Sequence, residues 1–495
     1  MSRRGRRVVT ALAIGAAAYA GWRALRRAGS PDASKNGGRA RSNGSGLPSG
    51  RVERTARLAK VSTRTAANLA VTKAKSVGKD EDQRAVLEEE FHLRTAEQVM
   101  GVMGEMKGAL MKIGQMMSFI DTGLPEPYRM ALASLQADAP PMAPELVAET
   151  LEAEFGAPPE RLFDEWSPSP LAAASIGQVH AARLKTGEDV VVKVQYPGVA
   201  DAIKSDLDNA DMLATMMRAI YPNLEPGPVI DEMRERIGEE LDYSAEIKNQ
   251  LAFLDLYRGH PFIHIPEVYP EHSTRRVLTM ERSGGHRWAR AVEASPDLKQ
   301  RWAEVVFRYV FGTINRWHMF NGDPHPGNYL FHDDGTVTFL DYGCIKHFTE
   351  EHMAKQRAML HAEWDNDGAT MRRHLVEFGF LKANDPTPPE RLVEWWQTWD
   401  QPILSDEFEY TAEFAEAAAK ANFDPTSEWY EIGKRFNLPK DFVFLTRINL
   451  GLNSIFAGLG ARNCWRAIGK EWWEGAPPAT ELGRLDAEFF ASVAR

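Results

Sequence analysis

The chain has 495 residues, 43% of them apolar and 26% charged, enough to bury a large core and divide into two or more lobes, which excludes a small binding module. The net charge of −10 conceals an asymmetry: residues 1–80 hold 18 Lys+Arg against 3 Asp+Glu, a balance of +15, and the remaining 41 against 66 leave −25. A basic arm suits anionic lipid or nucleic acid, whereas the acidic body argues against nucleic acid wrapping the whole molecule. The two cysteines, Cys344 and Cys464, lie too far apart in sequence for a metal spacing or a disulfide framework and fit a reducing compartment.

The chain opens "MSRRGRRVVTALAIGAAAYAGWRALRR", with an apolar run from Val8 to Trp22 bracketed by arginines. The run is shorter than the roughly 20 residues a spanning helix needs. Residues 1–29 therefore read as a membrane anchor or interfacial helix, with a cleaved signal and an ordinary amphipathic helix as the other readings. Residues 30–50 are rich in Gly, Ser, Asn and Arg, the composition of a flexible linker. Residues 51–160 read as a helical extension, because Val99, Met103, Met106, Leu110, Ile113 and Met117 recur at spacings of three and four until Gly123 and Pro125. Inside that stripe sits Lys112-Ile113-Gly114-Gln115. Lys112 and Gln115 share a helix face and need polar partners, and a mid-helix Gly costs about 1 kcal/mol relative to Ala.

A helix is expected over Pro144–Phe155. The stretch Pro170–Val199 reads as a strand, a tight turn at Thr186 and Gly187, and a second strand, Val190–Val194. Lys193 lies inside that β-branched strand, where an ammonium needs an anionic partner or ligand. Val229–Leu256 reads as one long acidic helix on which Glu239, Asp242 and Glu246 share a face while Glu240 points elsewhere; any of these carboxylates could pair with Lys193. Arg275–Arg282 is expected to form another strand, and the tryptophan-rich region beyond about Thr349 reads as helical.

The stretch "FNGDPHPGNYLFHDDGTVTFLDYGC", Phe320–Cys344, carries the most chemistry. Asp323 precedes Asn328 by five positions, and Asp341-Tyr342-Gly343 follows a hairpin whose turn is Asp334-Gly335. Phosphoryl transfer needs this set: one carboxylate to orient the attacking group, and an amide oxygen with a second carboxylate to hold Mg²⁺ on the phosphates. The spacing matches the kinase catalytic loop and its D-F-G. One expected part is replaced. Where a protein kinase has G-x-G-x-x-G before the lysine strand, this chain has Ala172-Ala173-Ala174-Ser175 and a single Gly177, so Cβ atoms stand where backbone amides would approach phosphates.

Five ordered motifs, "KIGQ" at Lys112–Gln115, "AAAS" at Ala172–Ser175, "ELD" at Glu240–Asp242, "GDPHPGN" at Gly322–Asn328 and "DYG" at Asp341–Gly343, resemble the signature of the UbiB/AarF/ADCK atypical kinases. The similarity runs from about Arg51 to Arg495. It implies an α+β, two-lobed protein-kinase-like fold with an N-terminal helical extension, an N-lobe over 161–282, and a C-lobe over 283–495 with a helical C-terminal region. It further implies that ATP or ADP binds with Mg²⁺. The nucleotide would meet Ala172, Ala173, Ala174, Ser175, Lys193, Glu240, Asp242 and Glu246, and the metal would meet Asn328 and Asp341. Catalytic roles would fall to Asp323, Lys193, Lys112 and Gln115, the last two on a helix that folds over the cleft near Glu240 and Asp242. The family is linked to ubiquinone and other isoprenoid-lipid pathways and to lipid-stimulated ATPase activity, with an uncertain phosphate acceptor. The expected partners are nucleotide, membrane lipid or quinone-pathway components and an anionic membrane surface, not nucleic acid. The need for ATP puts residues after Arg51 on the cytoplasmic face. A small-molecule phosphotransferase and a non-catalytic nucleotide-binding scaffold are the competing readings, and the oligomeric state is not legible.

Overall fold

The computed structural model describes residues 142–493 except 175, 201–226, 228–237, 240, 323, 422–426, 434 and 438. The expectations for the basic arm, the linker and the Lys112–Gln115 helix lie outside the described residues, as do Ser175, Glu240 and Asp323.

Helix α1, Pro144–Phe155, begins with proline in its first turn and ends at Gly156, whose φ of 72° is left-handed and whose N–H reaches Glu152 O. It lies over a four-stranded antiparallel sheet of β1 (Glu165–Ala173), β2 (Gly177–Arg183), β3 (Asp189–Gln195) and a later strand, Val277–Glu281. The period-two alternation of β3 fixes its faces. Val190, Val192 and Val194 are fully buried with Val147 and Leu151 of α1, so Lys193 is left on the opposite face.

Two expectations change here. Pro170 does not open a strand; it lies within β1, an edge strand whose pairing with β2 shifts register on either side of Pro170. Pro168 and Pro170 lack the N–H that a regular ladder needs, which hides the strand from pattern reading. Nor does one helix run from Val229 to Leu256. Asp242 is extended (φ −130°, ψ 94°) and caps α2, Tyr243–Tyr257, its Oδ1 accepting from Ser244 N at 2.9 Å. An Asp cap of this kind is worth about 1 kcal/mol to the helix it starts. Asp242 and Glu246 thus do not share one helical face.

Beyond α2 come β4 (Ile263–His264), β5 (the sheet strand Val277–Glu281) and α3 (Pro296–Trp317), capped by Ser295. Strands β6 (Met319–Asn321) and β9 (Ile345–His347) pair antiparallel; β7 (Tyr329–Phe331) and β8 (Val337–Phe339) form the expected hairpin, and β4 joins β8 in parallel. Helices α4 (Glu350–Trp364), α5 (Gly368–Glu377), α6 (Pro389–Leu404), α7 (Lys440–Leu459), α8 (Trp465–Trp473) and α9 (Glu481–Val493) complete the second lobe. Its largest core joins α2, α3, the small strands, α7 and α8 through Phe253, Trp302, Val306, Phe339, Ile455 and Trp465.

A buried polar network closes that lobe. Arg308 of α3, with no exposed side chain, donates to Glu304, to both oxygens of Glu471 and to Thr480. Asp486 of α9 takes Arg316 and, through Oδ1 at 3.0 Å, His260 just past α2. The Nδ1 of His260 accepts from Ile263 N, so the neutral ring carries its proton on Nε2 and donates it to Asp486. Burial lowers the His260 pKa despite that carboxylate. No helix among the described residues is long and apolar enough to cross a membrane.

Candidate nucleotide cleft

Lying on the face of β3 opposite its buried valines, Lys193 brings its ammonium to α2, where both Glu246 oxygens lie 2.9 Å from Nζ. The side chains keep only 15% and 4% of their exposure. The Tyr243 ring, at the start of α2, lies 4.9 Å from Nζ, a cation–π distance. Burial alone would lower the Lys193 pKa, but Glu246 first, then Tyr243 and Asp341, overturn that and raise it. The lysine is therefore a fixed cation. Of the carboxylates left open by sequence, Glu246 pairs with Lys193, while Asp242 caps the helix and faces Arg275 at 3.6 Å.

Asp341 follows β8 on the same side. Its Oδ1 accepts from Gly343 N at 2.9 Å, and its backbone O accepts from Asn321 Nδ2. A Cβ on Gly343 would stand 3.4 Å from Asp341 Oδ1 and 3.8 Å from Glu246 Oε2, so the two carboxylates border one small space. Tyr342 turns the other way, fully buried against Phe253 of α2, and Asn249 Nδ2 donates to its backbone O at 3.0 Å. These two contacts tie the Asp341 segment to the helix that holds Glu246. Sequence reasoning missed Asn249, although it lies one turn beyond Glu246 and so shares its face.

Asn328 ends a 3₁₀ turn, Pro326–Asn328, and its backbone O accepts from Leu340 N at 2.9 Å. That bond sets Asn328 beside the residue preceding Asp341. An amide oxygen and a carboxylate are hard donors of the kind Mg²⁺ takes, and neither competes with a nitrogen or sulfur ligand. The fit to Mg²⁺ is therefore chemical.

Ala172 and Ala173 end β1, opposite Val179 and Gln178, and Ala174 N donates to Gly177 O at 2.8 Å across the turn. The alanines thus form the tip of a hairpin leading into the lysine strand. Gly177 is sterically required: a Cβ there would meet Val194 O of β3 at 2.2 Å. Below the hairpin, Gln178 joins Met142 N and His180, whose other nitrogen meets Ser167 O.

The sequence of residues 134–375 matches the family described as the ABC1 atypical kinase-like domain. The chain is 32% identical over 279 residues to the mitochondrial atypical kinase COQ8 of Saccharomyces cerevisiae, covering 56% of each. It is 33% identical over 294 residues to a chloroplastic aarF domain-containing protein kinase of Arabidopsis thaliana, covering 59% of this chain and 41% of that one. The chain thus spans about half the length of these curated relatives. Among solved structures it resembles Rv3197 of Mycobacterium tuberculosis, in complex with erythromycin, with a TM-score of 0.56 at 26% identity over 79% of this chain and 98% of that one.

Proposed function

Because this chain belongs to the ABC1 atypical kinase-like family, we propose that it binds a Mg²⁺–nucleotide between its lobes and hydrolyses ATP or transfers its phosphoryl group, in support of quinone or isoprenoid-lipid metabolism at a membrane. The observation that carries the reading is the bidentate Lys193–Glu246 pair bordering the same space as Asp341. Glu246 and Tyr243 hold the ammonium where it can neutralise phosphate oxygens. Asn328 and Asp341 would hold Mg²⁺, which when bound neutralises charge that builds on the phosphates. Asp323 orients the attacking hydroxyl or water, and the alanine hairpin of Ala172, Ala173, Ala174 and Ser175 covers the nucleotide. Lys112 and Gln115, with Glu240 and Asp242, close the side of the cleft where a peptide would otherwise enter.

The quinone and lipid link follows from the family resemblance, and the basic arm with its apolar run at residues 8–22 supports attachment to the cytoplasmic face of an anionic membrane. Thermal unfolding with ATP or ADP and Mg²⁺ tests the nucleotide reading. A ligand at 100 times its Kd adds about 2.7 kcal/mol to the folded state, and Asp341→Ala removes the metal-dependent part. Equal shifts in parent and variant refute the metal assignment. Phosphate release that anionic liposomes leave unchanged counts against the lipid link.

A further inference from the structure

Helix α2 carries Glu246 in its first turn, so whatever holds its last turn also aims that carboxylate at Lys193. The last turn is held from two sides. On one, Tyr257, the final helical residue, is buried and its hydroxyl meets Thr313 Oγ1 of α3 at 2.6 Å. Gly259, at a φ of 77° that favours glycine, then turns the chain back, and His260 N donates to Tyr257 O at 2.9 Å. The imidazole comes to lie edge-on to the Tyr257 ring at 5.5 Å.

On the other side stands α9. Asp486 accepts from His260 Nε2, and Phe489, three residues on, meets the imidazole edge-on at 4.7 Å. Phe490 spans the imidazole and the Tyr257 ring, at 5.6 and 6.0 Å. Asp486 is itself held: its Oδ2 takes Arg316 and lies 3.8 Å from Arg308, which leaves Oδ1 for the imidazole. Between its two ends α2 touches the Asp341 segment at Asn249 and Phe253. At 1.5 Å rise per residue, Asn249 divides the helix into arms of about 4.5 Å toward Glu246 and about 12 Å toward Tyr257. A rigid helix pivoting there passes about a third of any shift at Tyr257 on to Glu246. A shift of about 2 Å at the far end therefore moves the carboxylate by about 0.7 Å, which carries a 2.9 Å contact beyond hydrogen-bond range.

We propose that Asp486 is a positioning residue for the nucleotide cleft: through His260 it sets the tilt of α2 and so holds Glu246 on Lys193. The consequence for the cleft rests on the nucleotide reading given above, but the coupling itself is measurable without nucleotide. A competing role is plain stabilisation of the second lobe, which is what Glu471 does through Arg308 and Ala479 N.

The test is the rate at which N-hydroxysuccinimidyl acetate acylates Lys193 in the full chain, read on its peptide by mass spectrometry without nucleotide, beside urea unfolding of each variant. His260→Phe keeps a ring among the surrounding aromatics and gives up both hydrogen bonds. Asp486→Asn keeps an oxygen to accept from Nε2–H, and Asp486→Leu keeps none. Loss of the buried hydrogen bond predicts about tenfold faster acylation in His260→Phe and Asp486→Leu, with Asp486→Asn within about threefold of the parent. Glu471→Gln should lose stability and keep the parent rate. Acylation at the parent rate in folded His260→Phe overturns the proposal whether or not Asp486→Leu folds. Equal acceleration in Glu471→Gln at matched stability also overturns it and leaves Asp486 a structural residue. Affinity for ATP and ADP with Mg²⁺ should fall in the two accelerated variants. A parent protein that binds neither nucleotide overturns the nucleotide reading and the cleft role with it, whereas parent-rate acylation in the variants overturns the coupling alone.

Discussion

Replacing Lys193 and Glu246 with methionine, singly and together, separates what their pairing does for the fold from what it does for nucleotide. Breaking a buried pair from one side costs about 3–5 kcal/mol, because the remaining charge stays buried without its partner. Glu246 keeps 4% of its side-chain exposure, so Lys193→Met should fall within that range. Lys193 keeps 15% and retains the Tyr243 ring at 4.9 Å, an interaction worth about 0.5–2 kcal/mol, so Glu246→Met should cost less, about 2–4 kcal/mol. The double variant removes both charges and fills the space with two adaptable thioethers, which returns stability to within about 1 kcal/mol of the parent. The coupling should exceed about 2 kcal/mol. Urea unfolding followed by far-UV circular dichroism, without nucleotide, measures all four corners of the cycle. Nucleotide affinity should be lost in all three variants, including the stable double one. Additivity of the single effects within about 0.5 kcal/mol would falsify the view that each charge is held there by the other.

Gly177→Ala should force β2 away from β3, because the added Cβ would meet Val194 O at 2.2 Å and a backbone cannot step aside cheaply; a loss of about 1–3 kcal/mol, read as a lower melting temperature with weaker nucleotide binding, is expected, and an unchanged melt refutes it. In the second lobe, Glu363 of α4 faces Asp400 of α6, and burial first, then that neighbouring carboxylate, pushes the Glu363 pKa well up, while burial raises Asp400 as well. The folded chain therefore binds more protons than the unfolded chain above the ordinary carboxylate value of 4.5, and stability falls as pH rises through neutrality. Glu363→Gln should flatten the decline by up to about 1.4 kcal/mol per pH unit. Melting temperatures from pH 5 to 9 decide the matter, and parallel profiles for parent and variant would count against a buried proton.

The parts legible in the sequence were those governed by local chemistry. Pro144 and Gly156 bracket α1, Thr186-Gly187 and Asp334-Gly335 turn their hairpins, and alternation sets Lys193 apart from its three buried valines. Where one residue served two local preferences, reading left the choice open. Asp242 has the charge of a lysine partner but the side chain of a helix cap, and the cap prevailed, which left Glu246 to pair. Pro168 and Pro170 disguised β1, since an edge strand tolerates what a central one does not. The network around Arg308 was invisible for another reason: its partners Glu471 and Thr480 lie 163 and 172 positions away, and no periodicity links them.

The bond between His260 and Asp486 spans 226 positions, and that distance is also an interval of time. At about 5–20 residues per second, a ribosome needs on the order of 10–45 seconds to travel it. Both sheets of the lysine and Asp341 segments have emerged before α9 exists. Through that interval the buried imidazole at the foot of α2 has no carboxylate, and Arg308 waits for Glu471. The helix that positions Glu246 is therefore fastened at its far end by a residue made 226 positions after His260, and a chain cut short before Asp486 carries Lys193, Glu246 and Asp341 while leaving that fastening undone.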